Sequence, residues 1–221
     1  MRTKTLLLAA AITAAGIAAT QAQSNVYSVN VVGYYNVTIP TAATPDNANR
    51  FKAVCMQLKP NGITSPTLNN ALTNLPAGTL AYVWSGSGWN PPSEYLGAAD
   101  GWETDYALPY GTGVMLKNTA ASDVTVTVVG EVMQGSLTNT WNAGFSPRGA
   151  LVPQAGGIST VHNFTQVGDK VLVFNAGWSP QNEYFGVVDG WELGEPNLAV
   201  GQAVMVNSLS GGSWVRDFTV Q

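Results

Sequence analysis

The segment GWNPPSEYLGAADGWE, residues 88–103, recurs as GWSPQNEYFGVVDGWE at residues 177–192. Ten of the sixteen aligned positions are identical and in register. The flanks match as well, since AGTLAYVW precedes the first copy as VGDKVLVF precedes the second. This self-similarity predicts a tandem repeat with about 100 residues in each unit.

The apolar pattern around the repeated segment predicts β-strands. In VTVTV, the side chains of Val124, Val126 and Val128 share one face, and glycine, proline and asparagine clusters bound such runs. One helical signal occurs in SPTLNNALTNL, where Ser65 can cap a helix and Pro66 suits its first position. We therefore expect an all-β fold: two tandem small β-sandwich or barrel-like domains from an internal duplication, each with at most a short helix.

The chain begins with the pattern of a secretory signal peptide over residues 1–22. A basic start, an apolar run and small residues lead to a cleavage site near Ala22. We expect a secreted or cell-surface protein, with the periplasm as the alternative, and no transmembrane segment in the mature chain. The predicted units are residues 23–129, which include an extra N-terminal strand at 25–32, and residues 130–221.

Composition excludes some partners. Without Arg2 and Lys4 of the signal segment, seven basic residues face thirteen acidic ones, so nucleic acid is not an expected partner. Cys55 is the only cysteine, which rules out an intramolecular disulfide, and its apolar setting in FKAVCMQL predicts a buried, unreactive thiol. His162 is the only histidine and has no nucleophile motif beside it, which favours a non-catalytic residue.

Three stretches carry a resemblance to other proteins: NVYSVNVVGYYNVTIP, VVGEVMQGSLTNTWNAGFSPRGALVPQAGG and the closing VGQAVMVN…WVRDFTV. Together they make the mature chain similar to a group of secreted bacterial proteins with two β repeats and no known function. The resemblance implies export and a two-unit architecture. It implies no activity, cofactor or catalytic residue.

The repeated segment is the candidate site. Its candidate ligand-binding residues are Trp89, Glu94, Tyr95, Asp100, Trp102 and Glu103 in the first copy, and Trp178, Glu183, Tyr184, Asp189, Trp191 and Glu192 in the second. Four interpretations compete: a glycosidase carboxylate pair, a calcium site, a carbohydrate contact, and a structural turn whose aromatic rings cover each core. The structural turn is favoured because glycine and proline recur as faithfully as the acids. We expect no catalytic residue, no metal and no cofactor.

The N-terminal strand is the second candidate. Asn25, Val26, Tyr27, Ser28, Val29, Asn30, Val31 and Val32 repeat the alternation that closes the first unit, so they form a surplus strand. Such a strand can pair within its own chain or add to the open edge of a neighbour. The sequence therefore predicts a secreted non-catalytic structural, surface-assembly or adhesive protein, and it leaves open two states: self-association through this strand, and a monomer in which the strand pairs within its own chain. The alternative is a module with two equivalent sites for extracellular polysaccharide.

Overall fold

The structure is a computed structural model that describes residues 31–41 and 50–220. The predicted signal peptide and residues 25–30 of the predicted surplus strand lie outside this part of the chain. The described part is nearly all β, which confirms the predicted fold class. Its first half contains β1 (Val32–Ile39), β2 (Phe51–Cys55), β3 (Leu58–Lys59), α1 (Leu68–Ala71), β4 (Leu80–Val83), β5 (Ser93–Gly97), β6 (Gly101–Trp102), β7 (Gly113–Lys117) and β8 (Val124–Val132).

The second half repeats this pattern of strands. It contains β9 (Gly135–Trp141), β10 (Gly144–Arg148), β11 (Gly156–Gly157), β12 (Lys170–Val173), β13 (Asn182–Gly186), β14 (Gly190–Trp191), β15 (Asn197–Leu198), β16 (Val204–Ser208) and β17 (Gly212–Phe218). The first five-stranded sheet has the order β2-β7-β4-β5-β6, and the second has the corresponding order β10-β16-β12-β13-β14. In each half, the first strand pairs with the last, as β1 with β8 and β9 with β17. We call β1–β8 the first half and β9–β17 the second half.

Strand burial follows the apolar pattern. Val124, Val126 and Val128 are buried in β8 while the threonines between them are exposed, as predicted. The centrally placed β7 and β16 are buried on both faces, in keeping with their continuous apolar sequences. The predicted helix start was wrong, because Thr67 rather than Ser65 caps a helix of four residues. The Thr67 N–H donates to Asn70 Oδ1 at 2.8 Å, so the first turn of the helix begins two residues later than the sequence predicts.

Each half has its own hydrophobic core, and a third cluster contains residues of both. The third cluster contains Ala53, Cys55 and Met115 from the first half with Phe174 and Ala203 from the second. The halves therefore meet through side chains as well as through the connecting chain.

Matching backbone contacts join the two halves. Val54 forms a bridge with Gln202, and the corresponding bridge joins Arg148 to Thr112. Residues Val31–Gln221 cluster as one compact unit, so the division into two separate domains is not confirmed. The predicted boundary after residue 129 falls inside β8, which runs on to Val132.

Glycine allows the halves to approach closely. A side chain at Gly113 would place its Cβ 2.8 Å from the Cβ of Ala203, and one at Gly149 would place its Cβ 2.6 Å from the sulfur of Cys55. Both distances are shorter than any Cβ contact tolerates, so these two positions must lack a side chain for the sheets to meet as they do.

Candidate functional site

The repeated segment forms the same hairpin in both halves. In the first half, Tyr95 pairs with Trp102 and Gly97 with Gly101, with a shift of register between the two pairs. The second half has the same pairs and the same shift at residues 184–191. Gly101 has a φ of 72° and the matching Gly190 has a φ of 71°, a conformation that glycine adopts without strain. The Asp–Gly sequence therefore makes a tight turn, as the structural interpretation expects.

The tyrosine and the second tryptophan of each copy belong to the cores. Tyr95 is 2% exposed and Trp102 is 3% exposed, and their ring centroids lie 5.3 Å apart. Tyr184 and Trp191 form the matching pair at 5.0 Å. The indole N–H of Trp102 donates to the Leu72 carbonyl at 2.8 Å. In the first half, these buried rings present no open face on which a sugar could stack.

The acids of both copies lie outside the cores. Glu94, Asp100, Glu103, Asp189 and Glu192 are exposed. Glu183 is half-buried and forms an ion pair with Lys170, with 3.3 Å between Lys170 Nζ and Glu183 Oε2. Within residues 31–41 and 50–220, no three His, Cys, Asp or Glu side chains come together in a metal-binding arrangement.

Trp89 and Trp178, the first tryptophan of each copy, converge on one cavity between the halves. Each packs edge-on against the aromatic residue that directly follows the preceding strand: the ring centroids of Trp89 and Trp84 lie 5.1 Å apart, and so do those of Trp178 and Phe174. The same two pairs form isolated backbone bridges. The chain reversal between these partners therefore aims both tryptophans toward the other half.

The cavity between the halves, which we call the aromatic cavity, has a volume of about 320 Å³. The side chains that line it are Phe51, Tyr82, Trp89, Met115, Phe174 and Trp178. They offer one hydroxyl and two indole N–H groups, and otherwise only rings and a thioether. Lys117 lies at its edge, with its Nζ 5.5 Å from the centre of the Phe51 ring. The arrangement suits a ligand that is mostly apolar and fills space between rings.

The described end of the surplus strand is paired within its own chain. Val32 begins β1 and lies opposite Glu131 of β8, and the Val132 N–H donates to the Val31 carbonyl at 2.7 Å. Asn25 to Asn30 lie outside the described residues. Among the described strands β1 lies at an edge, because its sheet has the order β1-β8-β3.

The thiol of Cys55 and the ring of His162 are both buried. Burial raises the pKa of Cys55 to about 12, so the group stays protonated, in agreement with the predicted unreactive thiol. His162 is 1% exposed, and burial lowers its pKa to about 4. Neither ring nitrogen has a hydrogen-bond partner among the described residues.

Sequence reasoning missed the second-half residues around His162. The segment STVHNFTQV, residues 159–167, forms hydrogen-bonded turns and no helix. Phe164 within this segment is fully buried among four aromatic rings. The sequence did carry one signal of this burial, because Phe164 is a large apolar residue between the polar pairs His162–Asn163 and Thr165–Gln166.

Comparison with protein-family models, with curated proteins and with solved structures gives no match to this chain. The one helix found in the described part of the chain has four residues, which is far short of a membrane span.

Proposed function

We propose that this protein is a non-catalytic adhesive protein of the cell exterior, which holds its partner by an apolar group inserted into the aromatic cavity. The observation that carries the proposal is the convergence of Trp89 and Trp178. These are the motif residues that line a cavity between the two halves, and they come from copies 89 residues apart in the chain. Partly exposed aromatic rings in a concave apolar site are typical of binding sites.

The placement of the acids supports a role without catalysis. A glycosidase needs two carboxyl groups facing each other across a substrate. Here Glu94 and Glu103 are exposed on a hairpin, and Glu183 is paired with Lys170. None of these groups lines the aromatic cavity.

Removal of Trp178 tests the cavity. We expect the neutral dye N-phenyl-1-naphthylamine to bind the wild-type protein with a rise in fluorescence. Trp178→Ala should weaken the binding about tenfold, because one ring contact of the aromatic cavity is lost. The measurement is a fluorescence titration of the dye.

The matched control is Leu96→Ala, which shortens an exposed apolar side chain on β5. Its dye affinity should equal that of the wild type. Equal affinities of all three proteins would show that the dye binds elsewhere and would contradict the proposed use of the cavity.

A second candidate function, self-assembly through β1, is favoured by the chemistry of that strand. Its sequence VGYYNVTI contains no charged residue and no proline. Val32 is 67% exposed and Tyr34 is 73% exposed, and Val129 on β8 is 56% exposed beside them. Long, uncharged edge strands readily accept a strand from another chain. We propose that β1 accepts the N-terminal strand of a neighbouring copy.

A proline at position 36 tests the edge. Hydrogen-bonded pairs alternate along an antiparallel ladder, and the Val31–Val132 contact places Asn36 with its N–H toward the open edge. We expect Asn36→Pro to remove this donor and abolish concentration-dependent association, measured by analytical ultracentrifugation.

Asn36→Ala is the matched control, because it loses only the side-chain bond from Thr127. It should associate as the wild type does. If Asn36→Pro keeps its melting temperature and still associates normally, the β1 edge is not the contact.

A further inference from the structure

The second half has a cleft beside its repeated hairpin. It has a volume of about 410 Å³ and lies between the turn at residues 158–162 and the β13–β14 hairpin. Its aromatic wall is formed by Tyr184 and Trp191, which are 4% and 8% exposed, with the fully buried Phe164 behind them. Ser159, Thr160 and Glu195 contribute hydroxyl and carboxylate groups. This mixture of rings and polar groups differs from the almost wholly apolar lining of the aromatic cavity.

In the first half, the side chain of Asn69 fills the corresponding space. Its Oδ1 accepts a hydrogen bond from the Trp102 backbone N–H at 2.8 Å. A Cβ added at Gly101 would collide with this oxygen, whereas a Cβ added at Gly190 would meet nothing within 4 Å. The first half thus holds a carboxamide where the second half is open.

Two pairs of hydrogen bonds establish which residues correspond. The Leu68 N–H donates to the Tyr106 carbonyl, and the Ile158 N–H donates in the same way to the Pro196 carbonyl, both at 3.0 Å. The next N–H donates to an acid in each half: Asn69 to Asp105 at 2.8 Å, and Ser159 to Glu195 at 2.6 Å. Ser159 therefore stands in the place of Asn69, and Glu195 rather than Gly194 in the place of Asp105.

The shorter serine leaves a backbone donor unused. Its hydroxyl accepts the indole N–H of Trp191 at 2.7 Å and does not reach the backbone N–H of that residue. The N–H and carbonyl of Tyr184 bond to Asp169 and Gly168, so the paired strand β13 directs both groups away from Trp191. Among the described residues, no side-chain or loop oxygen accepts the Trp191 N–H.

We propose that this cleft binds the acetamido group of an N-acetylated sugar. The carbonyl oxygen of the acetamido group accepts the Trp191 N–H, as the Asn69 carboxamide oxygen does for Trp102 in the first half. The methyl group packs against the aromatic surface. No lysine or arginine of the described residues lines the cleft, which argues against an anionic ligand.

The polar side chains around the opening of the cleft favour a sugar over other ligands that contain an amide group. Thr160, Asn163 and Thr165 line the opening and can bond to ring hydroxyls. Glu195 Oε2 accepts one bond, from Thr160 Oγ1, and keeps further acceptor capacity. Val187 is 91% exposed and Val188 is 95% exposed where the first half has two alanines, so the second half also offers an apolar surface to neighbouring rings of a polysaccharide.

The test compares three trisaccharides by calorimetric titration: tri-N-acetylchitotriose, its deacetylated form, and cellotriose, which has no nitrogen substituent. We expect the acetylated sugar to bind at least about tenfold more tightly than either of the others, because only it supplies the carbonyl acceptor. Equal binding of the three, or no binding of the acetylated one, would overturn the proposal. Preferential binding of N-acetyl-asparagine amide over the acetylated sugar would overturn it too.

Two substitutions make the test specific to the cleft. Ser159→Asn supplies the missing carboxamide within the chain and should weaken binding of the acetylated sugar about tenfold or more. Because this change also removes the hydroxyl that accepts the Trp191 indole N–H, a melting curve of the variant is recorded to show that it is folded at the temperature of the titration. Asn69→Ser makes the converse change in the first half and should leave the affinity at the second-half cleft unchanged. Normal binding by Ser159→Asn would refute the assignment. The aromatic cavity is a separate site, so its dye affinity should be unchanged in Ser159→Asn whatever the sugar result.

Discussion

Replacing Phe164 with alanine is expected to lower the free energy of unfolding by about 3–5 kcal/mol. Phe164 is fully buried, and its ring stacks parallel to Trp141 with 5.8 Å between centroids. The rings of Trp191 and Trp214 lie 5.6 Å and 5.4 Å away. Alanine would leave a cavity walled by large rings, which cannot move inward without losing their own contacts and hydrogen bonds.

Urea denaturation followed by circular dichroism measures this loss. The melting temperature should fall by on the order of 10 °C. Phe185→Ala is the matched control, since Phe185 is 45% exposed on the neighbouring β13 and its loss should change the stability by less than about 1 kcal/mol. Similar losses in the two variants would contradict the central packing role of Phe164.

The second large effect is a loss of stability on acidification, caused by His162. Burial, followed by the nearby positive charge of Arg216, lowers the pKa of the histidine to about 4, and Glu195 opposes the shift. An unfolded histidine has a pKa of about 6.5. Between these two values the unfolded chain binds the proton and the folded chain does not, so stability decreases as the pH falls from about 6.5 to about 4.

The size of this contribution is of order 1–3 kcal/mol, from about 1.4 kcal/mol for each unit of pKa difference. His162→Leu should remove it, because leucine cannot be protonated and Leu72 occupies the corresponding place in the first half. The free energy of unfolding of both proteins would be measured at pH 7.5 and pH 4.5.

Carboxylates titrate in the same range but are common to both proteins, so the difference between them isolates the histidine. His162 is the only histidine in the chain, which makes the comparison unambiguous. If both proteins lose the same stability between the two pH values, His162 is not the cause.

The local architecture could be predicted from the sequence because it depends on local patterns. The alternation in β8 fixes which valines face the core, and Asp–Gly in the repeated segment fixes a turn that only a positive φ at glycine allows. The burial of Trp102 beside Tyr95 follows from the same hairpin.

The candidate sites depend on contacts that no local pattern contains. Trp89 and Trp178 meet because the two sheets approach each other at Gly113 and Ala203, and nothing in the repeated segment specifies that approach. The interpretations of the repeated segment as a glycosidase carboxylate pair, a calcium site or a structural turn all treated each copy as a separate site. Repetition placed equivalent residues in both halves, but the folded chain brings only their first tryptophans to one cavity.

The second-half cleft had a signal in the sequence that could not be used without the structure. Asn69 and Ser159 occupy corresponding places, but the segments that contain them differ in length, so a sequence alignment does not pair them. The repeated motif aligns Asp105 with Gly194, whereas in the structure Asp105 corresponds to Glu195. Only the hydrogen bonds to the two acids identify the residues that correspond.

The sealed thiol of Cys55 makes the chain convenient for spectroscopy. Because Gly149 lets the opposite half close over the sulfur and the chain has no other cysteine, a maleimide reagent meets no competing thiol on the native surface. One cysteine introduced in place of the exposed Thr160 would therefore carry a single dye at a defined point beside the second-half cleft. Ligand arrival there could then be followed optically in the intact chain, with no background labelling to subtract.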